Sequence, residues 1–213
     1  MTKVYFISGL GADKRIFSFL DLSFCEPVYI DWITPYKNDT LQDYALKLRK
    51  GIPETDPIIV GISLGGMLVT EMANADSNIQ GIIISSNKTQ NEFPIHLRIV
   101  KYLPLYKWSP NFILKRIMLG STWMLGGTRK EQKKLLQQII KESNIEFVKW
   151  AIEAILCWKN TVIPENIIHI HGTADKLLPY SRVKADYTIP GGTHVMTMDN
   201  PEEISELLKK LIP

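Results

Sequence analysis

The feature that most constrains this chain is the alternation of short, unbroken apolar runs with helical patterns. Val4–Ser8, Pro27–Trp32, Pro57–Ile62, Gly81–Ser85, Asn166–His171 and Ala185–Ile189 read as strands. Most are rich in Val and Ile and too continuous for a sheet with one wet face. Runs of this kind suit strands buried on both sides, as in a parallel sheet covered by helices. Helical segments lie between them. Asp39-Thr40 can cap a helix carrying Leu41, Tyr44, Ala45 and Leu48 on one face and ended by Gly51. Leu64–Ala75 is a second, compact and apolar. In the last helix Asn200 is placed to cap, Pro201 sits at the first position and Glu203 completes a capping box. Ile204, Leu207, Leu208 and Leu211 then make one apolar stripe. Alternation of this type predicts an α/β fold: a doubly wound, mostly parallel sheet of about six strands with right-handed crossovers.

One region breaks the rhythm. From about residue 88 to 161 no strand is apparent. Ser109-Pro110 and Thr128…Glu131 look like helix starts. Leu135, Leu136, Ile139 and Ile140 recur at helical spacing, as do Phe147, Ala151, Ile155 and Trp158. The expectation is a single domain over residues 1–213 with a helical insertion at about 88–161. Charge is uneven across that boundary. The net charge is +3, yet Lys88 to Lys159 holds 13 Lys/Arg against 5 Asp/Glu, and the remainder is acidic. A basic segment attracts acidic substrates or surfaces, although solvated helix faces carry lysines too. The excess is modest and has no nucleic-acid-binding motif with it, so no nucleic-acid partner is expected.

Cys25 and Cys157 are the two cysteines, and no C-x-x-C pair exists. Neither a disulfide framework nor a cysteine zinc site is supported. The pattern suits a reducing cytoplasm. The run Val4-Tyr5-Phe6-Ile7 is too short for a signal peptide, and no run has the length of a membrane span.

The chemistry centres on Gly61-Ile62-Ser63-Leu64-Gly65-Gly66. A strand candidate runs directly into Ser63 and a helix opens after it. G-x-S-x-G in that context is a nucleophile elbow. Glycines at 61 and 65 remove side chains that would clash in the tight turn. The new helix turns free N–H groups and its positive end toward developing negative charge. A glycine-rich βα turn can also cradle phosphate, but neither G-x-x-x-x-G-K-[ST] nor G-x-G-x-x-G occurs here.

An activated serine needs a base within hydrogen-bond reach. Of the four histidines, His194 follows the last strand in Gly191-Gly192-Thr193-His194 and faces the sheet edge that Ser63 faces. His169 and His171 alternate along a strand and read as packing residues; His96 falls in the insertion. A carboxylate should orient the base. Asp175 follows strand Asn166–His171 on the same edge. Asp31 competes, and Asp199 reads as part of a helix start. The chain order Ser63…Asp175…His194 is that of α/β-hydrolases.

With these segments in this order the sequence resembles the α/β-hydrolase superfamily. The matching segments are Ser8-Gly9-Leu10-Gly11, the Ser63 motif, His171 to Pro179 and Gly191 to His194, in the right order along nearly the whole chain. The resemblance implies a covalent acyl-enzyme, no cofactor or metal, a small-molecule substrate and a helical cap. It also implies an oxyanion hole from the backbone N–H groups of Leu64 and Leu10. There are departures. Ser8-Gly9 stands where the family often has His-Gly, and Ile62 precedes the nucleophile where His is frequent. The first strand here corresponds to the third of a full family sheet, so the core is reduced. Trp108 and Trp123, with nearby leucines and methionines, are candidates for an apolar substrate pocket, although such residues also serve as a cap's own core. The expected activity is carboxylesterase or thioesterase. Two alternatives stay open: C–C, lactone or amide hydrolysis by the same triad, and a non-enzymatic ligand-binding protein. Oligomeric state is not legible.

Overall fold

A computed structural model of the chain describes residues 1–94 and 105–213. Six strands form one sheet: β1 Thr2–Ile7, β2 Cys25–Ile30, β3 Ile58–Ile62, β4 Gln80–Ile84, β5 Ile167–Gly172 and β6 Tyr187–Ile189. Their order is β2-β1-β3-β4-β5-β6, and every neighbouring pair is parallel. All six strands read from the sequence are present, with bounds moved by no more than two residues.

Alternate side chains along each strand supply two cores. Tyr5, Ile7, Ile59 and Ile83 pack with helices α1 (Leu41–Arg49) and α2 (Leu64–Ala75). Val4, Phe6, Val60, Ile82, Ile84 and Ile170 point the other way, onto Ile16, Phe17 and the C-terminal helices α8 (Met196–Asp199) and α9 (Pro201–Leu211). Each fully buried Ile, Leu or Phe contributes roughly 1.5–3 kcal/mol by leaving water. That is why both strand faces had to be apolar.

Helices join β4 to β5: α3 Leu105–Trp108, α4 Asn111–Gly120, α5 Thr122–Leu125, α6 Lys130–Glu142 and α7 Ile145–Leu156. Among the described residues of this stretch there is no strand. Leu136 and Ile140 of α6 join the second core, while Phe147, Ala151 and Ala154 of α7 join the first. The insertion therefore straddles one edge of the sheet. Its α7 end is held by an aromatic cluster in which Trp32 and Phe147 centroids are 4.8 Å apart and Tyr44 and Trp150 centroids 4.5 Å.

Two helix starts differ from expectation. Asn200 occupies the cap position of α9 but makes no side-chain capping bond. It is the junction between α8 and α9, and its backbone N–H already donates to the Met196 carbonyl at 2.8 Å. At α6 the cap is Arg129, whose N–H donates to Gln132 Oε1 at 2.9 Å. Thr128 lies one residue before that cap, and its N–H donates to Asp199 Oδ1 at 2.9 Å. His96 lies outside the described residues.

Candidate active site

In order β2-β1-β3 the chain leaves β1 on one side and returns on the other, so β1 and β3 flank the sheet's topological switch point. Crevices at the carboxyl ends of such strands are where open α/β sheets bind ligands. The loop after β1 carries Gly9 and Leu10; β3 ends in Ser63.

Ser63 has φ 53° and ψ −115°, a conformation L-residues rarely adopt. Strain of this kind costs about 1–3 kcal/mol and persists where surroundings over-determine it. Both backbone polar groups of Ser63 are held: its N–H donates to the Ile84 carbonyl at 3.0 Å, and its carbonyl accepts from Ser86 Oγ at 2.7 Å and from the Met67 N–H at 3.1 Å. The glycines do what the spacing predicts. A Cβ on Gly61 would collide with the Gly65 carbonyl, and one on Gly65 with the carbonyl oxygens of Ile7 and Ser8.

His194 Nε2 lies 3.0 Å from Ser63 Oγ, and its Nδ1 lies 2.8 Å from Asp175 Oδ2. A carboxylate only accepts, so Nδ1 carries the proton and Nε2 is left to accept from the serine hydroxyl. Asp175 Oδ1 accepts from the N–H groups of Leu177 at 2.9 Å and Leu178 at 2.8 Å. Asp175 and His194 are 5% and 4% exposed. Burial alone would raise the Asp175 carboxyl; the His194 ring and its hydrogen bond, the Leu178 N–H and His171 outweigh it and leave the group below its ordinary value. The loops after β5 and β6 come this close because Gly172 packs against the Gly192 backbone, where any Cβ would collide.

Behind the acid stands a second histidine. His171 Nε2 lies 2.8 Å from the Leu178 carbonyl and 3.5 Å from Asp175 Oδ2. Nε2 therefore carries the proton, and His171 Nδ1 accepts from His169 Nε2 at 3.1 Å. Among the described residues His169 Nδ1 has no hydrogen-bond partner, although it is buried. These histidines pack within the fold, as their alternation along β5 suggests.

Leu10 borders a cavity of about 190 Å³ that opens onto Ser63 and His194. Apart from Ser121 its other walls are apolar, among them Ile62, Met118, Met124, Leu125, Ile139 and Leu177. Leu64 sends its side chain into the core and is the first residue of α2. Neither the Leu10 nor the Leu64 N–H donates to a backbone carbonyl among the described residues. Trp108 and Trp123 do not line this cavity; they are 78% and 66% exposed. The helices turn them outward and turn Met118, Met124 and Leu125 inward. Asp31 is exposed at the end of β2. Asp199, expected only to start a helix, accepts from Thr193 Oγ1 at 2.6 Å and from the Gly127 N–H at 2.9 Å. No local pattern marks that role, because the N–H groups it holds, those of Gly127 and Thr128, lie some seventy residues away. Among the described residues no group of three or more His, Cys, Asp or Glu side chains is arranged to hold a metal ion. No helix among them is long and apolar enough to cross a membrane.

A model of the alpha/beta hydrolase family matches residues 4–207. No curated protein matches the chain. Among solved structures, a hydrolase from Pseudomonas aeruginosa PA01 superposes with a TM-score of 0.76 at 12% identity, covering 99% of this chain and 89% of that one. Est816, described as an N-acyl homoserine lactone degrading enzyme, gives 0.74 at 15% identity, covering 100% and 93%. A thermophilic esterase from Thermogutta terrifontis gives 0.67 at 16% identity, covering 100% and 91%. At these identities the likeness is one of fold.

Proposed function

The chain belongs to the alpha/beta hydrolase family, and from that premise we propose that it is a serine hydrolase cleaving a small ester or thioester through an acyl-enzyme on Ser63. The observation that carries this reading is the hydrogen-bonded row Ser63–His194–Asp175, at 3.0 and 2.8 Å.

Ser63 Oγ attacks the acyl carbonyl while His194 Nε2 takes its proton. Asp175 holds the imidazole in the tautomer this needs and stabilises its charged form. The Leu10 and Leu64 N–H groups face the carbonyl oxygen as it gains charge. Removal of one such donor typically costs about 3–4 kcal/mol of transition-state stabilisation. His194 returns the proton to the departing alcohol or thiol as the C–O or C–S bond breaks. Water then attacks the acyl-enzyme, giving its proton to His194, and Ser63 leaves protonated as the acid departs. The apolar cavity beneath Met118 and Met124 suits an aliphatic acyl group.

In this reading residues 1–213 are one domain and the insertion at about 88–161 is its cap, closing the site from above. Free Cys25 and Cys157 fit a reducing compartment, which supports a cytoplasmic enzyme. The test combines fluorophosphonate labelling with an ester, thioester and lactone panel. An adduct on the Ser63 peptide and turnover of esters or thioesters are expected. An unlabelled Ser63 in folded protein, with no turnover, would sink the reading.

A further inference from the structure

A second depression, of about 470 Å³, lies beside the Ser63 cavity. Met124 lines both, and the second also takes in Thr193 and Ala174, the neighbours of His194 and Asp175. It therefore adjoins the reacting atoms across one unbranched, adaptable side chain. Its charged lining among the described residues is Lys133 from α6 and Lys176 from the β5–β6 loop, with no Asp or Glu. Neither ammonium forms an ion pair among the described residues. Trp123 stands over the same depression with its ring mostly in solvent, and Lys176 Nζ is 5.4 Å from the ring centroid. Asp199 is the nearby carboxylate, but its oxygens are taken by Thr193, Gly127 and Thr128. From Lys115 to Lys134 the chain carries six Lys/Arg against Glu131 alone, a field that draws anions in.

We propose that this depression binds an anionic group, a carboxylate or a phosphate, carried on the alcohol or thiol part of the substrate. The assignment rests on the reading of Ser63 as nucleophile. The acyl chain occupies the apolar cavity under α4 to α6, and the leaving group crosses Met124 toward Lys133 and Lys176. The ammonium groups donate charge-assisted hydrogen bonds to the anion. Trp123 covers the flat or apolar stem between anion and reacting oxygen or sulfur. This hold is the same before and during reaction, so it acts on KM more than on kcat. After acyl transfer the anionic alcohol or thiol leaves by the open side.

The test uses 4-(hexanoyloxy)benzoate, its neutral methyl ester and 4-(hexanoyloxy)phenyl phosphate, each with the wild type and with K133Q/K176Q. The ratio of variant to wild type on each ester cancels intrinsic reactivity. Two partly exposed ion pairs are worth about three- to tenfold in binding. A KM rise of that size is expected for an anionic ester beyond any change with the methyl ester, shrinking as salt is added. The benzoate and phosphate arms tell which anion is meant. Equal ratios on all three esters would overturn the proposal. A binding readout needs no turnover: in Ser63→Ala, 4-hydroxybenzoate or 4-hydroxyphenyl phosphate should quench tryptophan emission saturably, and Trp123→Phe or K133Q/K176Q should abolish the quenching. Quenching without hydrolysis by wild type would sink the serine-hydrolase reading and leave an anion site; hydrolysis without quenching or anion preference would do the reverse.

Discussion

Thr193 Oγ1 donates to Asp199 at 2.6 Å, which ties the residue beside His194 to the turn that begins α6. The same carboxylate accepts from the Gly127 and Thr128 N–H groups, each at 2.9 Å. Asp199→Ala should strand those donors and cost about 1–3 kcal/mol of stability. It should also lower kcat about tenfold, because a loosened loop misplaces His194. Urea unfolding and steady-state kinetics check both; unchanged kcat would show that the tie does not reach the base.

Ser63→Ala and His194→Ala should each lower kcat/KM on p-nitrophenyl butyrate by about a thousandfold or more, with the melting temperature nearly kept. Full activity in Ser63→Ala would end the acyl-enzyme scheme.

Asp175→Asn keeps the shape but offers an amide to His194 Nδ1 and favours the wrong tautomer. A loss of about 10⁴ in kcat is the expected outcome, larger than the change in KM. The comparison to make is with Asp31→Asn, which should be near wild type, since Asp31 is exposed just past the end of β2.

Gly65→Ala puts a methyl group into the Ile7 and Ser8 carbonyl oxygens. Backbone cannot yield as a side-chain tip can, so the loss should be about 3 kcal/mol or more. A soluble variant with wild-type thermal stability would contradict the close approach of α2 to β1.

The buried histidine pair sets a pH dependence. Burial, then His171 and Lys88, hold His169 well below its ordinary value. Burial likewise lowers His171, against the Leu178 carbonyl and Asp175. In the unfolded chain both take up a proton below about pH 6.5. Stability is therefore full above that pH and lost as pH falls toward the folded values, by up to about 1.4 kcal/mol per pH unit for each histidine. Asp175, held low, loses its contribution at more acid pH. Glu71 and Glu92, raised chiefly by burial, act in the opposite sense. Urea midpoints should fall from about pH 7 to pH 5, and His169→Gln should flatten the fall. An equal slope in the variant would assign the loss elsewhere.

The strands and the Ser63 turn were legible because their causes are local. An unbroken Val/Ile run can be buried on both faces, and glycines at 61 and 65 answer to contacts within one turn. Asp175 and His194 were legible because each follows a strand whose carboxyl end meets the same edge. The insertion was legible only as helical. Helix α4 has apolar residues on several sides: Leu114 is buried, while Phe112 and Ile117 are 71% and 58% exposed. Its periodicity does not choose an inner face, and the four-residue helices α3 and α5 that carry Trp108 and Trp123 are too short to show a period at all, so nothing local says that Met118 and Met124 face Ser63 while Trp123 faces the neighbouring depression.

By itself, then, the sequence determined the six parallel strands, the strained serine turn and the chain order of the serine, acid and base candidates. These follow from patterns within a few residues and from the rule that parallel strands share a carboxyl edge. Only the tertiary structure decided which insertion side chains face Ser63, that Asp199 joins Thr193 to the α6 turn, and that Lys133 and Lys176 line one depression with Trp123. Those pairings span tens of residues and depend on how helices dock, which is set by packing across the whole molecule and leaves no period in the sequence.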